Sequence, residues 1–333
     1  MNALQLTWGL LIGVLLTGYV ILDGFDLGVG FWYLFARKDE ERRSLLAAIA
    51  PFWDGNEVWL VAAGGALFAA FPHAYATVFS GFYLPLMMVV VGLIFRAVSI
   101  EFRNESASLA WRKLWDAGFA FGSMVPALLF GVAAGNLLRG LPLDDSGNFA
   151  GSLRTLLNPY ALLVGGTGLA MFATHGALYI ATKTEGELEH RARRWAHRSW
   201  MVYVILLIGT VIATILGPAH LFANAPAVVI LLVVAGVAVG FVGLMNRRCE
   251  SNRAFLSSCL AIAALFATMA AAIFPNLAPA SQGDPLTIYN ASSSPLTLKV
   301  MLIVAVIGMP IVLAYQIWVR QVFRGKVGAE TSY

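Results

Sequence analysis

Nine apolar stretches of roughly 20 residues each, separated by polar loops, constrain this chain more than any other feature. They lie near 7–35, 50–71, 77–100, 115–138, 160–182, 200–218, 226–246, 254–275 and 297–319. Each is long enough to cross a bilayer as a helix, and little sequence remains for a soluble domain. Only 12% of residues are charged and the mean hydropathy is +0.77, far from the balance of a soluble domain. The expected fold is all-α: a polytopic membrane protein of nine transmembrane helices, residues 1–333 forming one integral membrane domain. Small-residue runs recur at Gly24–Gly30 and Gly165–Gly168. They suggest one four-helix unit over 1–138, a second over 160–275 and an appended ninth helix at 297–319, a parallel and not an inverted repeat.

All but four of the 22 Lys and Arg residues fall in the loops after the first, third, fifth and seventh spans and in the C-terminal tail. The positive-inside rule therefore puts the N-terminus outside and the C-terminus in the cytoplasm. The same placement explains the pI of 9.1 without a nucleic-acid partner. The first span has no basic segment before it and no cleavage-like site, so it is expected to be retained. The segment 183–198 reads as a solvated cytoplasmic loop, 71–76 as a short outer loop, and Pro85 as a kink in the third span. The outer loop near 218–226 is very short.

Against this apolar background four acids stand out. Asp23 and Asp26 lie in the first span and Asp54 and Glu57 in the second, each pair three residues apart and so on one helix face. A carboxylate inside a membrane helix costs a few kcal/mol or more and usually serves a function. Counting 1.5 Å per residue puts all four, with Arg96 and His175, in the cytoplasmic half of the membrane or near its middle. Carboxyl groups clustered beside an arginine can share and pass protons, so Asp54, Glu57, Asp23 and Asp26 form a candidate proton path. Arg96, Asn56 and His175 are its supporting polar groups. The competing reading is that the acids only tie helices or subunits together, and His175 reads better as a hydrogen-bonding residue. Asp116 reads as an acid at a helix start. A bis-histidine haem site needs a facing pair in the bilayer, and only His175 lies well inside a span; His73 and His220 fall at outer ends. No metal or cofactor is expected on this chain.

The runs Asp23-Gly-Phe-Asp-Leu-Gly-Val-Gly30, Ala50-Pro-Phe-Trp-Asp-Gly-Asn-Glu-Val-Trp-Leu60 and Gly64-Gly-Ala-Leu-Phe-Ala-Ala70 resemble subunit II of the cytochrome bd-type quinol oxidases. Phe95-Arg96, Trp115-Asp116, Gly135-Asn-Leu-Leu138 and Asn290-Ala-Ser-Ser-Ser294 extend the match over nearly the whole chain. The resemblance implies a heterodimer with a haem-bearing subunit I that carries haem b and haem d, or haem b in place of d, and the quinol site. It implies small accessory membrane subunits as further partners and a place in the bacterial cytoplasmic membrane. It also implies that the complex oxidises quinol, reduces dioxygen to water and draws protons from the cytoplasm. Asp54 matches an interface acid of the proton route, and Asp23, Asp26 and Arg96 match positions tied to assembly. The short loop near 218–226 is similar to that of the cyanide-insensitive branch, and some relatives carry glutamine at Glu57 and His175. The competing functions are a purely structural assembly subunit and a stand-alone proton-coupled transporter.

Overall fold

The structure, a computed structural model, describes residues 3–217, 221 and 224–327. It is a bundle of long helices with a small cap of β-structure at one end. In chain order the elements are α1 (Ala3–Tyr33), α2 (Asp39–Ile49), α3 (Trp53–Ala70), α4 (Pro72–Gly81), α5 (Tyr83–Phe102), α6 (Leu109–Arg139), β1 (Leu141–Pro142) and α7 (Leu153–Leu156). There follow α8 (Pro159–Lys183), α9 (Gly186–Leu216), α10 (Ala225–Arg247), α11 (Ser251–Ile273), β2 (Asn276–Ala278), β3 (Ala280–Gln282), β4 (Leu286–Thr287) and α12 (Pro295–Val322). Eight helices among the described residues, α1, α5, α6 and α8 to α12, are long and apolar enough to cross a membrane. The expected second span, α3, is not among them, because Asp54, Asn56 and Glu57 in its first turns lower its apolarity. Its 18 residues still run alongside α1 between the same two ends, a rise of about 27 Å.

Glycine sets the helix spacing at the centre. The helices α1 and α8 cross with backbone against backbone at Gly28 and Gly176: a Cβ on Gly28 would overlap the Phe172 carbonyl oxygen and sit 2.8 Å from Gly176 Cα. Close approach of this kind is how membrane helices gain packing without a hydrophobic driving force between them. The pair α6 and α8 repeats it at Gly131 and Gly165. Around this centre α1 also packs on α3, α6 and α11, while α12 stands at the edge, touching only α1 and α3 appreciably.

Several loops expected from the sequence are helices instead. Residues 71–76 open α4, and the break in the third span falls at Phe82, with Pro85 in the first turn of α5 where proline is tolerated. The segment 183–198 is not a solvated loop: α9 begins at Gly186, and Ala192, Trp195 and Ala196 are buried in the core. The charged run after α1 forms α2, whose Glu41 carboxylate accepts from the Arg37 and Lys38 backbone N–H groups at 2.7 and 3.2 Å. Glu41 also pairs with Arg191 of α9. Part of the short 218–226 loop, with His220, lies outside the described residues.

The end opposite the basic loops is closed by hydrogen bonds. In the loop after α6, β1 pairs in parallel with β3, from the loop after α11, joining Leu141 to Ala280. Gln5 of α1 donates to Ser292 Oγ at 2.7 Å, and Ser293 donates its N–H to the Ala70 carbonyl of α3 at 2.8 Å.

Candidate functional site

Three helices bring Asp23 and Glu57 to one guanidinium. Arg96, on α5, is fully buried, as are Asp23 and Asp26 on α1. Its Nη1 donates to Asp23 Oδ2 at 3.0 Å and its Nη2 to Asp23 Oδ1 at 2.7 Å, a two-point fork that fixes both side chains. Nη2 also donates to Glu57 Oε1 on α3. Asn56, the residue before Glu57, donates its Nδ2 to Asp26 Oδ2 at 2.8 Å. Asp26 Oδ1 has no hydrogen-bond partner among the described residues. Arg96 reaches this depth because α5 and α6 meet at Gly92 and Gly122: a Cβ on Gly122 would overlap the Gly92 carbonyl oxygen and the Arg96 backbone, and one on Gly92 would crowd the Pro126 ring.

Five of the predicted site residues, Asp23, Asp26, Asn56, Glu57 and Arg96, therefore meet. Asp54 does not join them. It is exposed and makes no hydrogen bond or ion pair among the described residues. Residues three apart on a helix differ by about 60° in direction, and here the boundary between surface and interior falls between Asp54 and Glu57. Glu57 keeps 22% of its side chain exposed, so it faces both the surface and the buried arginine.

His175 lies outside the cluster, on α8. It is fully buried and stacks on Phe255 at 4.7 Å. Its Nδ1 is 2.6 Å from Ser258 Oγ and its Nε2 is 2.9 Å from the Ile21 carbonyl, where it donates. Both ring nitrogens are thus committed to protein oxygens, and the residue does not fit an axial ligand to haem iron. Among the described residues no group of three or more His, Cys, Asp and Glu is placed to hold a metal ion.

A second charged cluster escaped the sequence reading. Asp116 is not at a helix start but two turns into α6 and buried. It accepts from Tyr33 Oη and Arg103 Nε, each at 2.6 Å, and from Arg42 Nη1 at 3.0 Å. Arg103 Nη2 donates in turn to Asp39 Oδ1 at 2.5 Å, and Arg43 reaches Asp39 Oδ2 at 2.8 Å. Partial burial works to raise the Asp39 carboxyl, but the hydrogen bonds from Arg103 and Arg43 outweigh it and hold it at about 2. The available signal was the mix of acids and bases flanking the turns between spans 1 and 2 and between spans 3 and 4.

The family model described as cytochrome bd terminal oxidase subunit II matches residues 4–323. Cytochrome bd-I ubiquinol oxidase subunit 2 of Escherichia coli is 37% identical over 366 aligned positions, covering 99% of this chain and 96% of that protein. Cytochrome bd ubiquinol oxidase subunit 2 of Bacillus subtilis is 35% identical over 342 positions, covering 98% of both. A chain in the structure of bd oxidase from Geobacillus thermodenitrificans superposes with a TM-score of 0.81 over 96% of this chain and 98% of that one. At 15% identity that likeness concerns the fold alone.

Proposed function

This chain belongs to the cytochrome bd terminal oxidase subunit II family, and from that premise we propose that it is the haem-free partner of a haem-bearing subunit I, carrying protons from the cytoplasm to the face between them. It works as one subunit of a quinol:dioxygen oxidoreductase in the bacterial cytoplasmic membrane, with the basic end of the bundle inside. Haem in subunit I supplies the reduction of oxygen; small accessory membrane subunits can complete the assembly.

The observation that carries this reading is the arrangement around Arg96. Two carboxyl groups, Asp23 and Glu57, share one guanidinium, and a third, Asp26, is buried one turn from Asp23 and held by Asn56, in a medium that penalises unbalanced charge by several kcal/mol. Holding a proton among them relieves the imbalance, so the cluster is suited to accept protons and release them. Asp54, one turn away and exposed, gathers a proton at the surface. Glu57, half inside, receives it and shares it with Asp26, whose Oδ1 is open to accept. Asn56 keeps the Asp26 carboxyl aimed at α3. The fork between Arg96 and Asp23 serves positioning more than transfer, because both Asp23 oxygens are already engaged. His175 has no part in the route; it ties α8 to α1 and α11 through Ile21 and Ser258.

The test is oxygen consumption per haem in the purified complex. Asp54→Asn is expected to slow it at least tenfold while leaving haem content and subunit ratio unchanged, the size of a lost proton-transfer group. Full activity in an assembled Asp54→Asn complex would sink the proton role. A fall in haem content that matches the fall in activity would favour a purely structural subunit.

A further inference from the structure

The first turn of α3 carries the surface acid and two members of the buried cluster, yet nothing on its own helix fixes it. Its N-cap is Phe52, which offers no side-chain hydrogen bond, and only the short turn Ala50–Phe52 separates it from α2. Beside the bonds of Asn56 to Asp26 and of Glu57 to Arg96, what holds it comes from the far end of the chain. The Lys183 ammonium, at the last residue of α8, donates to the Phe323 carbonyl at 2.6 Å and to the Gly325 carbonyl at 3.4 Å. These carbonyls lie at and just beyond the C-terminus of α12, where a cation is favoured. The same ammonium lies 5.3 Å above the Phe52 ring, and the Phe323 ring meets Phe52 edge-on at 6.2 Å. The Lys183 carbonyl accepts from Val327 N–H at 2.8 Å, closing the segment 323–327 over the turn between α8 and α9. One turn along α3, Gln316 of α12 donates to the Gly55 carbonyl at 3.1 Å.

We infer that Lys183 is a positioning residue for the proton path: by pinning the end of α12 to the end of α8 across the Phe52 ring, it fixes the first turn of α3 and so the placement of Asp54, Asn56 and Glu57 against α1 and α5. The inference rests on the proton role given to Asp54 above. The chain of contacts is continuous. Phe52 accepts the Asn56 N–H at 2.9 Å, and Asn56 holds Asp26. Loss of the pin lets this turn fray, and a frayed turn misplaces both the surface acid and the donor to Asp26. A neutral side chain of the same length keeps the packing but not the two carbonyl bonds or the attraction to the ring.

The experiment uses the intact complex with Lys183→Met, Lys183→Arg and Gln316→Ala, the last a milder second variant should the methionine chain fail to assemble. Amide hydrogen exchange over 50–56 is read beside the pH profile of oxygen consumption per haem. The methionine variant is expected to speed exchange over 50–56 about tenfold and to move the alkaline limb of the profile down by about one pH unit. The alanine variant is expected to do both to a smaller extent, and arginine to restore wild-type behaviour. Unchanged exchange over 50–56 in the methionine and alanine variants overturns the inference. So does faster exchange with a wild-type pH profile, provided Asp54→Asn slows the enzyme. If Asp54→Asn has no effect, the proton role fails instead, and the exchange result alone decides whether Lys183 holds α3.

Discussion

Arg96 is the residue on which the buried site depends. Replacing it by methionine removes the only cation beside Asp23 and Glu57 among the described residues, and breaking such a buried pair costs about 3–5 kcal/mol. The expected outcome is a sharp loss of assembled complex, measured as its yield and thermal unfolding midpoint. Arg96→Lys should recover only part, since an ammonium cannot make the fork to both Asp23 oxygens. Pairing Arg96→Met with Asp23→Asn should recover more than either change predicts alone, because the two act on one interaction. At the basic end the sign of a pH effect follows from Asp39. Its folded-state value, about 2, lies below the ordinary 3.8, so its contribution to stability is present above about pH 4 and is lost as pH falls toward 2. Asp39→Asn should therefore lower the unfolding midpoint at neutral pH and flatten its fall between about pH 4 and 2. Of these residues, Asp23, Asp26, Glu57 and Arg96 were legible as a group, because an ionisable residue in an apolar span is conspicuous. Asp116 was not: its partners come from α1, α2 and the end of α5, where Arg103 follows the last helical residue, and no spacing along the chain announces a contact among four parts of it.

At the scale of the helix, the crossing of α1 and α8 has the least room for change. Gly28→Ala or Gly176→Ala drives a methyl group into the facing backbone, so the helices must part. The expected result is a lower unfolding midpoint of the complex for either variant. Gly236→Ala on α10, where a Cβ meets nothing, is the control that should leave the midpoint in place. Apolar runs marked the membrane helices well, since lipid leaves a backbone few alternatives to the helix. They failed where charge density was read as solvation. The start of α9 carries Glu187, Glu189, Arg191, Arg193 and Arg194 and looks like a loop. It is helical because Arg193 pairs with Glu189 one turn back, Arg191 pairs with Glu41 of α2, and the remaining face packs Trp195 flat against Trp32 at 5.0 Å. Likewise α3 drew attention for its acids, but its hold on the rest of the chain through Lys183, α12 and the C-terminal segment could not be read from residues that stand well over a hundred positions apart.

The whole molecule is fastened differently at its two ends. Neutral hydrogen bonds close the β-capped end, through the pairing of β1 with β3, Gln5 with Ser292, and Ser293 with Ala70. Ion pairs close the basic end, through Asp116, Asp39 and their arginines and through Glu41 with Arg191. Dissolved salt distinguishes them. At about 1 M ionic strength the screening length falls to about 3 Å, so partly exposed ion pairs weaken while neutral bonds keep their strength. Raising the salt should speed hydrogen exchange over α2 and the start of α9 and leave the paired strands β1 and β3 unchanged. The bundle then loosens from one side only, like a hinge with its pin at the β-capped end, and the side that opens is the one at which the proposed proton path begins.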